Sequence, residues 1–461
     1  MSLIIMFGII LYQIFSLTNN SYILFEIFIF YLSLHLTYQL GSYGLVGSDA
    51  YFDYHFLKSI LNNHHFILGQ NITGLNVDGW PMLHVFSSAL SLVTKIDPLL
   101  IAKFLPSFIS SIIVMPLYLL AKNVYKEKKV ALLSCLIFGT IPQFMFFEGL
   151  FVREIFALFI MILFFSIVYI SKRRGVYSFT LLSIILIPVI VLSHHFTSFM
   201  VIILIFIYLV VSKLIPFLYR KDVKLLSNFF GRINIKSIFL ILLVSIISYW
   251  IFYDIFIMKY SFFVLSEMFG VRETISYATQ LQIVTFKGNV IYYGFFFFHI
   301  LFSLILLYKI IKIKTYQKIE NVSFILFFYF CMSYGFFAAF IASTSIFPDR
   351  LLPFGWMFGI MPLVGLLFIL KRNLNKKILV VLLISFVIFN IYNIESEYYT
   401  GNASHKGVIT TEKDYLIAGN INVPDEYYGH VGVLSAIYDI QGIKQKTGEN
   451  PPEDLINFSN S

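Results

Sequence analysis

The sequence predicts an all-α polytopic membrane protein with about 12 transmembrane helices, a long first external loop carrying juxtamembrane helices, and a small external C-terminal segment. Three observations predict it. Of 461 residues, 59% are hydrophobic and 12% charged, too apolar a balance for a chain whose solvent is water. Apolar stretches of about 20 residues, enough to cross a hydrocarbon core about 30 Å thick, recur along the chain. The charged breaks between them alternate, every second one being dense in Lys and Arg.

Taken in order, the apolar stretches fall near 1–17, 21–40, 99–121, 130–147, 155–171, 177–193, 199–218, 237–258, 290–311, 321–342, 352–370 and 378–394. The first lacks a basic start and is followed at once by a second, so it is expected to stay as an anchor and not to be cleaved. Pro106, Pro116, Pro142, Pro188 and Pro362 fall inside spans, where neighbouring helices must cover the backbone groups that a kink frees. Cys135 and Cys331 also fall inside spans and are expected as small buried hydrophobes, with no disulfide and no zinc site.

The basic breaks are 122–129, 172–174, 213–236, 309–318 and 371–377, which the positive-inside rule assigns to the cytoplasm. The breaks 41–98, 148–154, 194–198, 259–289 and 343–351, together with the tail, then face outward. A net charge of +9 distributed in this way fixes topology and touches anionic lipid headgroups; it does not argue for a nucleic-acid partner. The chain divides into a transmembrane domain over 1–394, with its long external loop at 41–98, and an external tail or small domain over 395–461. No internal repeat is evident, which disfavours the inverted-repeat transporter folds.

Within the first loop, GSDAYFDYHFLKSIL opens with Ser48 as a candidate N-cap and continues as an amphipathic helix suited to the membrane surface. A second short helix is expected after Pro81, in WPMLHVFSSALSLV. Acidic residues are the informative ones, because a carboxylate near lipid is costly and marks a site, a partner or a path. Asp49 and Asp53 are four residues apart, on one face of a helix, and the nearby helix N-terminus favours ionised Asp49. They read either as a cap plus a solvated acid or as a base and its helper, with His55 beside them.

The segment FFEGLFVREIFALF brings Glu148, Arg153 and Glu154 to a turn between spans, where Arg153 and Glu154 read as an interfacial ion pair or as parts of a site. His194 and His195, in VLSHHFTSF, are an interfacial pair or supply a metal ligand or a phosphate hydrogen bond. Arg350, in STSIFPDRLLPF, is a fixed cation at a span end; pairing with adjacent Asp349 is awkward, so an anionic ligand is favoured. His64, His65 and His84 read as ordinary polar-loop residues. Glu26, Lys103 and Asp254 are scattered along spans.

With SDAYFDYH in an early external loop, acidic residues at the next external turn and a basic residue before a late helix, the sequence resembles the GT-C superfamily of membrane glycosyltransferases. That superfamily includes the oligosaccharyltransferase catalytic subunits and the protein O-mannosyltransferases. The resemblance covers the membrane domain and implies transfer of a sugar from a polyprenyl-phosphate donor at the outer face of the cell membrane. It implies Asp49 as the catalytic acidic residue with Asp53 or His55 as helpers, Glu148 and Glu154 as the second acidic motif, and Arg350 on the lipid-linked phosphate. Arg153, His194 and His195 would add substrate contacts.

A divalent cation, magnesium or manganese, would fall to Asp49, Glu148 and His194 if one is used. The sequence departs from the family pattern by an additional early helix and by lacking a WWDYG-like motif. The second departure argues for a single-sugar transferase acting on a lipid-linked glycan, a lipid or a protein. Two other functions fit the helix number: a transporter or flippase of lipid-linked oligosaccharides, and a glycan polymerase or ligase using the loop with Arg272, Glu273 and Lys287.

Overall fold

The computed structural model describes residues 2–16, 20–42, 44–66, 79–141, 144–145, 149–174, 177–219, 235–253, 318–340 and 351–370, with 426–427 and 444–445 in the tail. Helices α1 (Ser2–Ser16) and α2 (Asn20–Leu40) lead to the first loop, which carries α3 (Ser48–Asn63) and α4 (Met82–Thr94). Then follow α5 (Pro98–Ile112), α6 (Val114–Tyr125), α7 (Lys128–Phe138), α8 (Arg153–Arg174), α9 (Tyr177–Ser193), α10 (His195–Tyr219), α11 (Ile235–Tyr253), α12 (Lys318–Phe340) and α13 (Leu352–Leu370). In the tail, the two-residue strands β1 (Glu426–Tyr427) and β2 (Lys444–Gln445) pair in parallel.

Three of the described helical stretches are long and apolar enough to cross a membrane: Pro98–Tyr125, Arg153–Ser171 and His195–Leu214. The expected spans at 290–311 and 378–394 lie outside the described residues. Helix α5 starts where the chemistry dictates, with the Asp97 carboxylate accepting from the Leu99 N–H at 2.7 Å and Pro98 in the first turn. One bond of the helical ladder is missing at Ile113, because Pro116 has no N–H to offer the carbonyl of Ile112, while Ile113 itself keeps helical φ −51 and ψ −29.

The span expected over 130–147 is shorter in the structure. Helix α7 closes at Phe138, and the Thr140 and Ile141 N–H groups turn back to the carbonyls of Ile137 and Phe138 at 3.0 and 3.1 Å. Gly139 permits the close approach there: a Cβ on it would stand 1.8 Å from the Tyr31 ring, whose hydroxyl donates to the Cys135 carbonyl. Both cysteines are buried and free, as expected.

Helix α2 packs on α5, α6 on α7 and α8, α8 on α9, and α12 on α10 and α13. Polar contacts between helices lie at two ends of this bundle and also between them, where the Ser166 hydroxyl of α8 donates to the Pro116 carbonyl of α6 at 2.6 Å. At one end the Lys129 ammonium donates to the Phe15 carbonyl at 2.9 Å, Tyr169 donates to Glu320, and Tyr125 donates to Asn321. At the other end lie the first loop and the N-terminus of α8. Arg153 and Tyr169 are both on α8, about 24 Å apart along its axis.

Candidate functional site

At that second end, side chains of α2 hold the chain that follows α7. His35 Nδ1 donates to the Met145 carbonyl at 3.1 Å and Gln39 Nε2 donates to the Gly149 carbonyl at 2.6 Å, both residues being buried. The start of the first loop is fixed by Lys103 of α5, whose ammonium donates to the Ser42 carbonyl at 2.5 Å, and by the Tyr51 hydroxyl, which accepts from the Leu45 N–H at 3.0 Å. Lys103, scattered by sequence, thus belongs with the loop. Gly47 has φ +89, a left-handed conformation that favours glycine, and its Cα faces Leu150 so closely that a Cβ would lie 3.2 Å from that side chain. The loop after α2 and the turn before α8 therefore meet.

Where they meet, Asp53 is buried, 2% exposed, and its carboxylate is surrounded by donors. Oδ1 accepts from His84 Nε2 at 3.0 Å and forms an ion pair with Arg153 Nε at 3.0 Å; Oδ2 accepts from the Arg153 backbone N–H at 3.2 Å. Burial alone would raise the Asp53 carboxyl, but the Arg153 charge, the His84 hydrogen bond and the Arg153 N–H hold it below the usual carboxylate range. That contact assigns the proton of the His84 ring to Nε2.

The network continues outward from Arg153. Its guanidinium carbon sits 5.8 Å from the centre of the Trp80 ring, a cation–π contact. Trp80 in turn lies 4.5 Å from the ring of His195, and His195 4.8 Å from His194. His194 Nδ1 contacts Thr197 Oγ1 at 3.0 Å. The Tyr249 hydroxyl of α11 donates to the Gly79 carbonyl and so pins the residue before Trp80.

Of the residues singled out by sequence, Asp53, Arg153, His194 and His195 are joined in this way. Asp49 stands one helical turn before Asp53 and is exposed. His55 is half-buried, and burial together with the charge of Lys58 pushes it below the ordinary histidine value. Glu154 is buried next to Arg153, and Arg153 forms an ion pair with Asp53 across the two loops. Glu148, Asp349 and Arg350 lie outside the described residues.

Three further readings change. Helix α3 begins at Ser48 with Gly47 at the cap position, so Ser48 is its first residue and not its N-cap. Its aromatic face does not lie on lipid: Tyr51, Tyr54, Phe56 and Leu57 are buried in the protein. His84 is no ordinary loop residue but a direct partner of Asp53. Trp80 was also missed; its place before Pro81 at the start of an apolar helix was the one signal that the sequence offered.

Among the described residues, no group of three His, Cys, Asp or Glu side chains is placed to hold a metal ion. The expected ligand Glu148 lies outside them, and His194 Nδ1 is engaged by Thr197. The described residues alone do not fit a cation cage.

No protein-family model and no curated protein matches the sequence. Solved structures do. The chain is similar to the oligosaccharyltransferase of Archaeoglobus fulgidus tethered to an acceptor peptide containing an NVT sequon, with a TM-score of 0.53 and 14% identity over 94% of this chain and 60% of that one. A complex of the same enzyme with Zn and sulfate gives a TM-score of 0.47 at 14% identity, over 93% of this chain and 58% of that one. The chain thus spans 60% of the length of the enzyme it matches, and what the two share is a fold.

Proposed function

We propose that the chain is a membrane glycosyltransferase that moves a sugar from a polyprenyl-phosphate donor to a lipid-linked glycan, a lipid or a protein at the outer face of the cell membrane. The observation that carries this reading is the buried Asp53, held by Arg153 and His84 where the first loop meets α8, one turn below exposed Asp49, on a fold shared with an oligosaccharyltransferase. A donor of this kind keeps its lipid tail in the bilayer and presents its sugar phosphate at the surface. A site at the ends of spans suits it; a transporter would carry its ionisable residues near the midplane.

In this mechanism the two aspartates divide the work by environment. Asp53 is neutralised by Arg153 and buried, so it positions and does not take a proton. Asp49, exposed, is the base: it removes the proton of the acceptor hydroxyl as the acceptor oxygen bonds to the anomeric carbon, and the bond from that carbon to the phosphate oxygen breaks. The electron pair leaves with polyprenyl phosphate. Arg153 keeps Nε on Asp53 while its partly exposed guanidinium faces the anion, and Arg350 and His195 supply further positive or hydrogen-bonding groups.

The test is direct. The purified chain in lipid nanodiscs, given radiolabelled polyprenyl-phosphate sugars and an extract of lipid and protein acceptors, releases polyprenyl phosphate and labels an acceptor; Asp49→Asn does neither. An Asp49→Asn chain that transferred sugar at the wild-type rate would remove the base from this scheme, and a wild-type chain inert toward every donor would remove the scheme.

A further inference from the structure

Trp80 carries a polar atom that the fold does not use. The residue is 3% exposed, and among the described residues no acceptor meets its Nε1–H. An indole offers one donor and no acceptor, and burying that donor without a partner is unfavourable, so a ring needed only for packing is better supplied by Phe. The ring is also held in place. The Tyr249 hydroxyl pins the Gly79 carbonyl before it, and Pro81 fixes the backbone after it. The Arg153 guanidinium carbon lies 5.8 Å from its centre and the His195 ring 4.5 Å. A donor fixed so firmly, with its acceptor not supplied by the fold, is what a site keeps for a ligand.

The surroundings define that ligand's atom. Arg153, beside the ring, has donors only, and the buried Asp53 carboxylate already receives Arg153 Nε, His84 Nε2 and a backbone N–H. A ligand hydroxyl on Trp80 Nε1 would bring its own proton up to a cation. An oxygen that carries no hydrogen, in a carboxylate or an acyl group, meets both donors without that conflict. A phosphate oxygen also carries none, but position and charge separate the two. The Arg153 guanidinium faces the phosphate, and the sugar is joined to that phosphate through its anomeric carbon, so a ring centred 5.8 Å farther on stands at the sugar. A phosphate further calls for charged or several donors, and Trp80 offers one neutral one.

We propose that Trp80 is a specificity-determining residue whose Nε1–H donates to a carboxylate or acyl oxygen of the transferred sugar, so that the donor carries a hexuronic acid or an N-acylated amino sugar and not a plain hexose. The sugar reaches the N–H past Arg153, 18% exposed, and His195, half-buried, which border the ring. This inference rests on the transferase reading of the site and names the class of sugar that it handles.

The full chain in lipid nanodiscs tests it by binding and by turnover. With isotope-labelled tryptophan, Trp80, Trp250 and Trp356 give the indole N–H resonances, and Trp80→Phe identifies the one from Trp80; Trp250→Phe and Trp356→Phe identify it by elimination if Trp80→Phe fails to fold. The probes are polyprenyl phosphate alone and polyprenyl phosphate carrying glucose, N-acetylglucosamine or glucuronic acid. The Trp80 resonance is expected to move downfield with the N-acetylglucosamine or the glucuronic acid donor, which tells an acyl from a carboxylate oxygen, and to stay in place with the other two probes. In turnover, Trp80→Phe lowers kcat/KM for that donor by about 10–100-fold more than for the glucose donor, the loss of one hydrogen bond in a buried site. A resonance moved by the glucose donor, by polyprenyl phosphate alone or by no probe overturns the proposal. So does an equal loss on every donor, which is what a merely structural ring gives. A resonance that moves as expected in a chain that transfers no sugar keeps the subsite and removes the transferase reading instead.

Discussion

The carboxylate of Asp53 and the Nε of Arg153, one hundred residues apart in sequence, stand 3.0 Å from each other at the junction of the first loop with α8. One residue supplies both a charge and a backbone donor to the same carboxylate, so the pair locks a side chain and a helix N-terminus together.

Removing the cation leaves a buried carboxylate with His84 and one N–H. Arg153→Ala is expected to destabilise the chain by about 3–5 kcal/mol, the cost of breaking a buried pair from one side. Arg153→Lys keeps the charge but loses the planar guanidinium over Trp80, and should fall between the two. Thermal unfolding in detergent orders the three; an Arg153→Ala chain as stable as wild type would contradict the geometry.

The two aspartates should separate by readout. Asp49→Asn, at an exposed position, leaves the unfolding temperature unchanged while lowering sugar transfer by about 10²–10⁴-fold, as loss of a general base does. Asp53→Asn, at a buried one, lowers the unfolding temperature. Parallel activity and melting measurements decide, and reversed outcomes would exchange the roles.

Acid acts on the same pair in a definite direction. The folded Asp53 carboxyl titrates below its ordinary value of 3.8, so its stabilisation is complete above that value and is lost as pH falls through the lower, folded one. The stability difference between wild type and Asp53→Asn should therefore shrink on acidification below the carboxylate range. His55, also depressed, has its cost elsewhere: the folded state resists protonation, so stability declines as pH falls below 6.5, and His55→Gln should remove that part of the decline.

Gly47 tests the contact between the two loops. Alanine there would take a left-handed conformation and meet Leu150 at 3.2 Å, so Gly47→Ala should cost about 1–2 kcal/mol. Pairing it with Leu150→Ala relieves the contact but not the backbone strain, and a double-mutant cycle in thermal unfolding separates the two.

Much of this was legible in advance, for physical reasons that differ by residue. Apolar length exposed the long spans, and the cost of charge near lipid singled out Asp53 and Arg153, the acid and the base of the pair. What the sequence withheld was their pairing: Arg153 has a carboxylate next to it at Glu154, and local reading joins neighbours, whereas the fold joined residues across two loops. His84 was missed because one histidine among loop residues carries no period. Read with Ser87, Ser88 and Ser91 it does, as a polar stripe on an apolar helix. Helix α7 was overrun because hydropathy continues past Gly139, where the helix itself stops.

The grip of α2 on the chain near residue 149 has a consequence for biosynthesis. His35 and Gln39 are made 110 residues before the carbonyls that receive their protons, Met145 and Gly149. When α2 leaves the ribosome it therefore carries two polar side chains whose acceptors have yet to be translated. It must be held beside water or an insertion factor until the chain beyond α7 has been synthesised, and a nascent protein arrested before residue 145 would keep α2 outside its final seat.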